Sequence, residues 1–275
     1  MRWNMGDRSS NVEDRRGMGG GGMIAGGGIG ALLLAGVVYL LGGDPSVILN
    51  NAGGSQAVET GAPPGQRADD RDADFSRAVL GQTEQVWTQV FAERGQRYEP
   101  PVLVLYDGGT QTGCGFGEAA TGPFYCPVDH KLYLDLSFFR QMQQQLGAPG
   151  DFAEAYVIAH EVGHHVQNLT GNMEQAGGRG AQGGSVRLEL QADCYAGVWA
   201  NRAEARNRIL ETGDVQEALN AASAVGDDKL QQQTRGQVSP DSFTHGTSAQ
   251  RARWFNRGLQ SGRMEDCDTF GAAQL

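Results

Sequence analysis

No two of the four cysteines are spaced as CxxC, so a zinc ribbon is not expected. Nor is there a basic stripe. The formal net charge is -10, and a body this acidic repels phosphates, which argues against a nucleic-acid partner. No internal repeat is present, and residues 17–43 contain no charged side chain. What the chain does have is length for one large domain or two small ones, at 275 residues, and 39% hydrophobic residues, enough for a core. Its 42 glycines concentrate near the N-terminus and at 171–184, the pattern of a globular body with flexible attachments.

The uncharged stretch includes MIAGGGIGALLLAGVVYLL at 23–41. About 20 such residues span the hydrocarbon layer as a helix, whose backbone bonds close internally. Arg2, Arg8, Arg15 and Arg16 precede the run, and the next basic residue is Arg67. Basic flanks stay in the cytoplasm, and no A-x-A cleavage site follows the run. The expected organisation is a cytoplasmic tail (1–22), one transmembrane helix (23–42), a flexible linker (43–72) and an extracytoplasmic domain (73–275), in a single-pass protein of the cell membrane. Export would suit two disulfides. Cys114 and Cys126 enclose Gly- and Pro-rich sequence, which leaves Cys194 for Cys267; four free thiols are the alternative.

The body reads as mainly α, an α+β domain with a small sheet. Phe75, Val79, Val86, Trp87, Val90 and Phe91 recur at helical spacing over 74–94. PVLVLY at 101–106 and KLYLDL at 131–136 read as strands, and Ser137 caps a helix to Gln145. The strongest helix is 151–169, with Asp151 and Glu154 spaced as a capping box. Further helices are expected at 185–207, 214–230 and 247–259.

Within 151–169 lies His160-Glu161-Val162-Gly163-His164. Residues four apart leave one face of a helix, so two imidazoles can occupy two positions of a tetrahedral zinc. Glu161 points about 100° away and can reach water without binding the metal. Zinc makes that water acidic near neutral pH, and Glu161 takes the proton and returns it to the leaving nitrogen. A third ligand is needed, with one position open. Glu189 and Asp193 share a face of the next helix: Glu189 suits the metal, and Asp193 suits the free ring N–H of a ligand histidine. The alternative is solvent exposure of both. His165 reads as structural or supporting, His130 as exposed.

HEVGHHVQ at 160–167, LELQADCYAG at 188–197, GPFYCPVDHKLYLDLSFF at 122–139 and the MRW start resemble the bacterial putative neutral zinc metallopeptidase family. That resemblance implies a zincin-like fold, zinc and peptidase activity on a peptide or protein substrate. A more distant likeness is to the membrane CaaX-protease and HtpX group, in which HExxH pairs with ExxxD on a later helix, the pattern of Glu189 and Asp193. By the same likeness, His245 and Arg251 would face the active site, stabilising an oxyanion or gripping a substrate carboxyl, although Gly246 stands where that group has Pro. The likeness also gives residues 132–136 the part of an edge strand that pairs with substrate. The function expected is a membrane-anchored zinc peptidase. A non-proteolytic zinc-containing envelope scaffold and a metal-dependent amidase on cell-wall peptide are the alternatives.

Overall fold

The computed structural model describes residues 1–4, 6–17, 70–119 and 122–275. They belong to two compact units. One comprises Met1–Arg15 with Asp69–Leu275; the other, Arg16–Ala68, lies almost wholly outside the described residues. The expected membrane helix at 23–42 and most of the expected linker fall outside them. Among the described residues no helix is long and apolar enough to cross a membrane.

The first unit is mainly helical, with a four-stranded sheet and a two-stranded hairpin. In chain order it contains β1 (Val12–Asp14), α1 (Asp70–Glu93), β2 (Val102–Tyr106), β3 (Gly109–Thr112), β4 (Gly115–Glu118), β5 (Phe124–Cys126) and β6 (Lys131–Asp135). Then follow α2 (Ser137–Gln145), α3 (Asp151–Leu169), α4 (Gly184–Asn207), α5 (Asp214–Ala224), α6 (Asp227–Arg235) and α7 (Ser248–Ser261). The sheet order is β1-β2-β6-β5. β2 is parallel to β1 and β6, and β5 is antiparallel to β6. Alternation sorts the central strands' side chains. Leu103, Leu105, Leu132 and Leu134 join the main core, while Val104, Tyr106 and Tyr133 form a smaller cluster with Cys126.

Four expectations need correction. The described part of the expected tail is no tail. Trp3 is buried edge-on against Phe75 at 5.4 Å, Ser9 and Asn11 hydrogen-bond Glu84, and β1 extends the sheet. The body's first helix starts at Asp70, inside the expected linker. β6 is paired on both sides, so it cannot be the free edge; among the described residues the edges are β1 and β5. The expected helix over 214–230 is two: α5 ends at Ala224 and α6 starts at Asp227, with an extended Gly226 between them so close to Ser248 N that a Cβ would stand 2.4 Å from it.

Caps differ too. Asp151 opens α3 without capping it, and Ser137 is the first residue of α2, its N–H held by Asp135. The carboxylate of Glu217, from α5, accepts the Phe152 N–H at 3.1 Å and satisfies a free donor of α3. Thr247 and Gln250 form a true capping box on α7. Disulfides join Cys114 to Cys126 and Cys194 to Cys267.

Helix α4 is buried on nearly all sides, as a central helix must be when apolar residues surround it. Glycines let its neighbours approach. A Cβ on Gly163 of α3 would sit 3.0 Å from Ala192 Cα and O of α4. Gly197 of α4 and Gly258 of α7 mark a second close crossing, where a Cβ would overlap the facing backbone. These crossings fix the heights at which α3, α4 and α7 present their polar side chains.

Candidate metal centre

At the α3–α4 crossing the two histidines of α3 meet Glu189 of α4. His160 and His164 are buried, with ring centroids 4.8 Å apart and planes at 86°. The Glu189 carboxylate lies 3.2 Å from His160 Nε2 and 3.4 Å from His164 Nε2. One ligand atom from each residue lies within 4.8 Å of the others. A second group, Asp151, Asp214 and Glu217, also satisfies that spacing, but two of its members pair with the terminal ammonium of Met1.

Each imidazole is held from behind. His160 Nδ1–H donates to Asp193 Oδ1 at 2.8 Å, and His164 Nδ1–H donates to Gln167 Oε1 at 2.8 Å. Both rings therefore turn Nε2 towards Glu189, in the tautomer a metal ligand needs. Asp193 is fully buried and is itself fixed by Arg251, Nε to Oδ2 at 2.8 Å and Nη2 to Oδ1 at 2.9 Å, and by the Tyr156 hydroxyl. Gln167 is oriented by donating to Leu188 O at 2.7 Å and to Gln191 Oε1 at 3.1 Å. Sequence reasoning missed Tyr156 and Gln167, although each sits one helical turn from a ligand, Tyr156 before His160 and Gln167 after His164.

The electrostatics draw positive charge to this point. Burial opposes ionisation throughout. Against it, Asp193 and Glu189 push His160 up to about 10, and Glu189 pushes His164 above its ordinary value. Glu189, with burial outweighed by the two imidazoles, stays well below the usual carboxylate range. Two nitrogens of fixed orientation and one carboxylate form a donor set that fits zinc with a position to spare.

Glu161 borders the same cleft, a cavity of about 510 Å³ that also reaches Phe124, Phe138, Leu230 and His245. Burial raises its carboxyl above the ordinary value, and the imidazoles partly offset that. His245 lies at the cleft with Nδ1 near Asp227 Oδ1, at 3.3 Å. Gly246 has φ +90° and donates its N–H to Asp227 at 3.0 Å, so Pro at this position is excluded twice over. Arg251 also lines this cleft. It is 3% exposed, and its guanidinium bonds Asp193, the Tyr156 hydroxyl and Val225 O, so it supports His160 through Asp193.

His165 faces away from the metal ligands. Nε2–H donates to Glu99 O at 2.7 Å, and Nδ1 accepts from Tyr125 OH at 3.0 Å. Burial lowers its pKa to about 4, so it is a neutral tie between α3 and edge strand β5. His130 is exposed, as expected.

The HExxH helix and the glutamate-bearing helix that crosses it thus bring together three residues that could hold a metal ion. The family model described as "Putative neutral zinc metallopeptidase" matches residues 1–270, and the chain belongs to that family. It is 48% identical to "Uncharacterized protein YpfJ" of Escherichia coli K12 over 98% of this chain and 99% of that one. It is 50% identical to "Uncharacterized protein Mb2605" of Mycobacterium bovis and "Uncharacterized protein Rv2575" of Mycobacterium tuberculosis, over 65% of each chain. No solved structure gives a significant match.

Proposed function

We propose that the chain is a zinc-dependent peptidase that hydrolyses peptide bonds, with Glu161 as general base. The observation carrying this is the convergence of His160, His164 and Glu189, ring orientations fixed, beside a carboxylate that lines an open cleft. Zinc, when bound by these three residues, supplies the Lewis-acid charge that polarises a carbonyl and makes water nucleophilic near neutral pH. Glu161 removes the proton from the attacking water and delivers it to the leaving nitrogen; its raised affinity for protons suits both transfers. His245 donates from the cleft wall to the carbonyl oxygen as it gains charge. Edge strand β5 pairs with the extended backbone of the substrate, and Phe124 and Phe138 favour apolar side chains beside the scissile bond.

Two disulfides suit an oxidising compartment. Residues 1–15 occupy it together with the body. β1 pairs with β2, which holds the two on the same side of any membrane.

The test is metal analysis of the full chain with digestion of a peptide library by wild type and Glu161→Gln. One zinc per chain is expected in both proteins. Cleavage by the variant should fall about 10²–10⁴-fold. Undiminished cleavage by the variant would remove Glu161 as the base.

A further inference from the structure

Asp227 stands at the start of α6, 9% exposed, where the chain turns from α5 towards the cleft. Its Oδ2 accepts three consecutive backbone N–H groups: Thr244 at 2.7 Å, His245 at 2.7 Å and Gly246 at 3.0 Å. The Asp227 N–H in return donates to Gly246 O at 2.8 Å. One residue thus clamps both polar edges of a tight turn. Gly246 is required there, since φ is +90° and a Cβ would come within 3.0 Å of Val186 Cγ1. The remaining oxygen, Oδ1, lies 3.3 Å from His245 Nδ1. The imidazole is therefore held at Nδ1 while the side chain, 51% exposed, stands at the cleft.

We infer that Asp227 is a positioning residue of the proposed peptidase site: it builds the turn and holds His245 at the cleft with Nε2 directed away from the clamp. The inference rests on the peptidase reading only for its catalytic consequence. A carboxylate against Nδ1 favours the imidazolium, and the imidazolium carries an N–H at Nε2 as well. A neutral ring bonded through Nδ1–H has only a lone pair there. Asp227 therefore decides whether His245 can donate to a developing oxyanion.

Other groups bear on the same ring. The Thr244 hydroxyl is 2.9 Å from Nδ1 and competes for it. Glu189 favours the cation from the far side, Arg251 opposes it, and burial opposes it. The net direction for His245 is upward, with the Asp227 hydrogen bond the largest cause. Asp227 is itself held below the usual carboxylate range: burial would raise it, but the His245 ring and the turn's N–H groups outweigh burial.

The experiment uses the zinc-loaded full chain and the variants Asp227→Asn, Thr244→Val and His245→Ala, with each of the first two also combined with the third. Asn keeps an acceptor for the turn and removes the charge. The first readout needs no substrate. His245 ring resonances, assigned by their loss in His245→Ala, are titrated by NMR. Asp227→Asn should lower the His245 midpoint by about one pH unit or more, and Thr244→Val should move it less. An unchanged midpoint in Asp227→Asn overturns the inference whether or not the protein cleaves peptides.

The second readout is the pH profile of peptide cleavage. Asp227→Asn should lower kcat about 10–100-fold with little change in KM, and move the alkaline limb to lower pH. In the His245→Ala background the same substitution should cost nothing further. Equal losses in both backgrounds would mean that Asp227 acts on the fold and not through His245. Wild-type cleavage that Glu161→Gln leaves intact would instead count against the peptidase reading, and the NMR result would stand apart from it.

Discussion

Asp193 shows how much of this site depends on residues that touch no metal. Its carboxylate takes hydrogen bonds from His160, Tyr156 and Arg251 in a fully buried position. A buried carboxylate without such partners would be neutralised. Glu154, two turns before His164's turn on α3, shows that outcome. Its side chain accepts from the Gln143 amide at 3.1 Å, with Asp72 adding repulsion and Arg71 partial relief. Burial, the main cause, pushes its pKa from 4.5 up to about 7. The folded protein therefore binds this proton more tightly than the unfolded chain does. The stability gained is complete below about pH 4.5 and is lost as pH rises through about 7. At about 1.4 kcal/mol per pH unit, the ionised carboxylate costs about 3 kcal/mol at pH 8. Glu154→Gln keeps an acceptor for Gln143 and removes the titration. It should raise the urea midpoint over wild type at pH 8, with the difference shrinking towards pH 4.5. A difference independent of pH would show that Glu154 does not titrate in this range.

At the scale of elements, the site is a crossing of two helices, and the contact that sets its height is Gly163 against Ala192. Valine at 163 cannot enter a gap in which even a Cβ would stand 3.0 Å from backbone atoms. The helices must part, and Glu189 moves away from both imidazoles. Gly163→Val is expected to lose about 1–3 kcal/mol of stability through overpacking. Zinc affinity should fall by about tenfold or more, since misplaced ligands weaken binding as lost supporting bonds do. Chelator competition at a temperature where the variant is folded separates the two losses. Wild-type zinc affinity would mean the crossing does not set ligand geometry. The helices α3 and α4, and four of the site residues on them, were legible because a 3.6-residue period places His160 over His164 and Glu189 over Asp193. The period says nothing about pairing between strands. KLYLDL reads equally well as an edge or a centre, and only the three residues of β5, too short to show alternation, make it a centre. The break at Gly226 was not legible either, since the chain it packs against there, at Ser248, is 22 residues away. Arg251 was legible as part of the site but not in its role, because only burial distinguishes a guanidinium bound to Asp193 from one open to substrate.

The molecule as a whole depends on a segment that its sequence pattern assigns elsewhere. Three short features tie residues 1–15 to the body. Trp3 packs on Phe75, Arg8 pairs with Asp74, and β1 pairs with β2. β2 pairs in turn with β6, and β6 with β5, which borders the cleft. Removing β1 turns β2 from an interior strand into an edge, with unpaired N–H and C=O groups along an apolar run. A fragment starting at Asp70 would look complete by helical periodicity, yet it lacks this cover. In the full chain, Trp3→Ala should lower stability by about 3–5 kcal/mol, the usual loss for a buried aromatic. The Asp70 fragment should fold only when a peptide of residues 1–15 is added, and urea unfolding with near-UV circular dichroism reads both effects. Should Trp3→Ala match wild type within about 0.5 kcal/mol, the range of surface substitutions, the N-terminal segment would not be packed as described. Nothing would then tie residues 1–15 to the body's compartment.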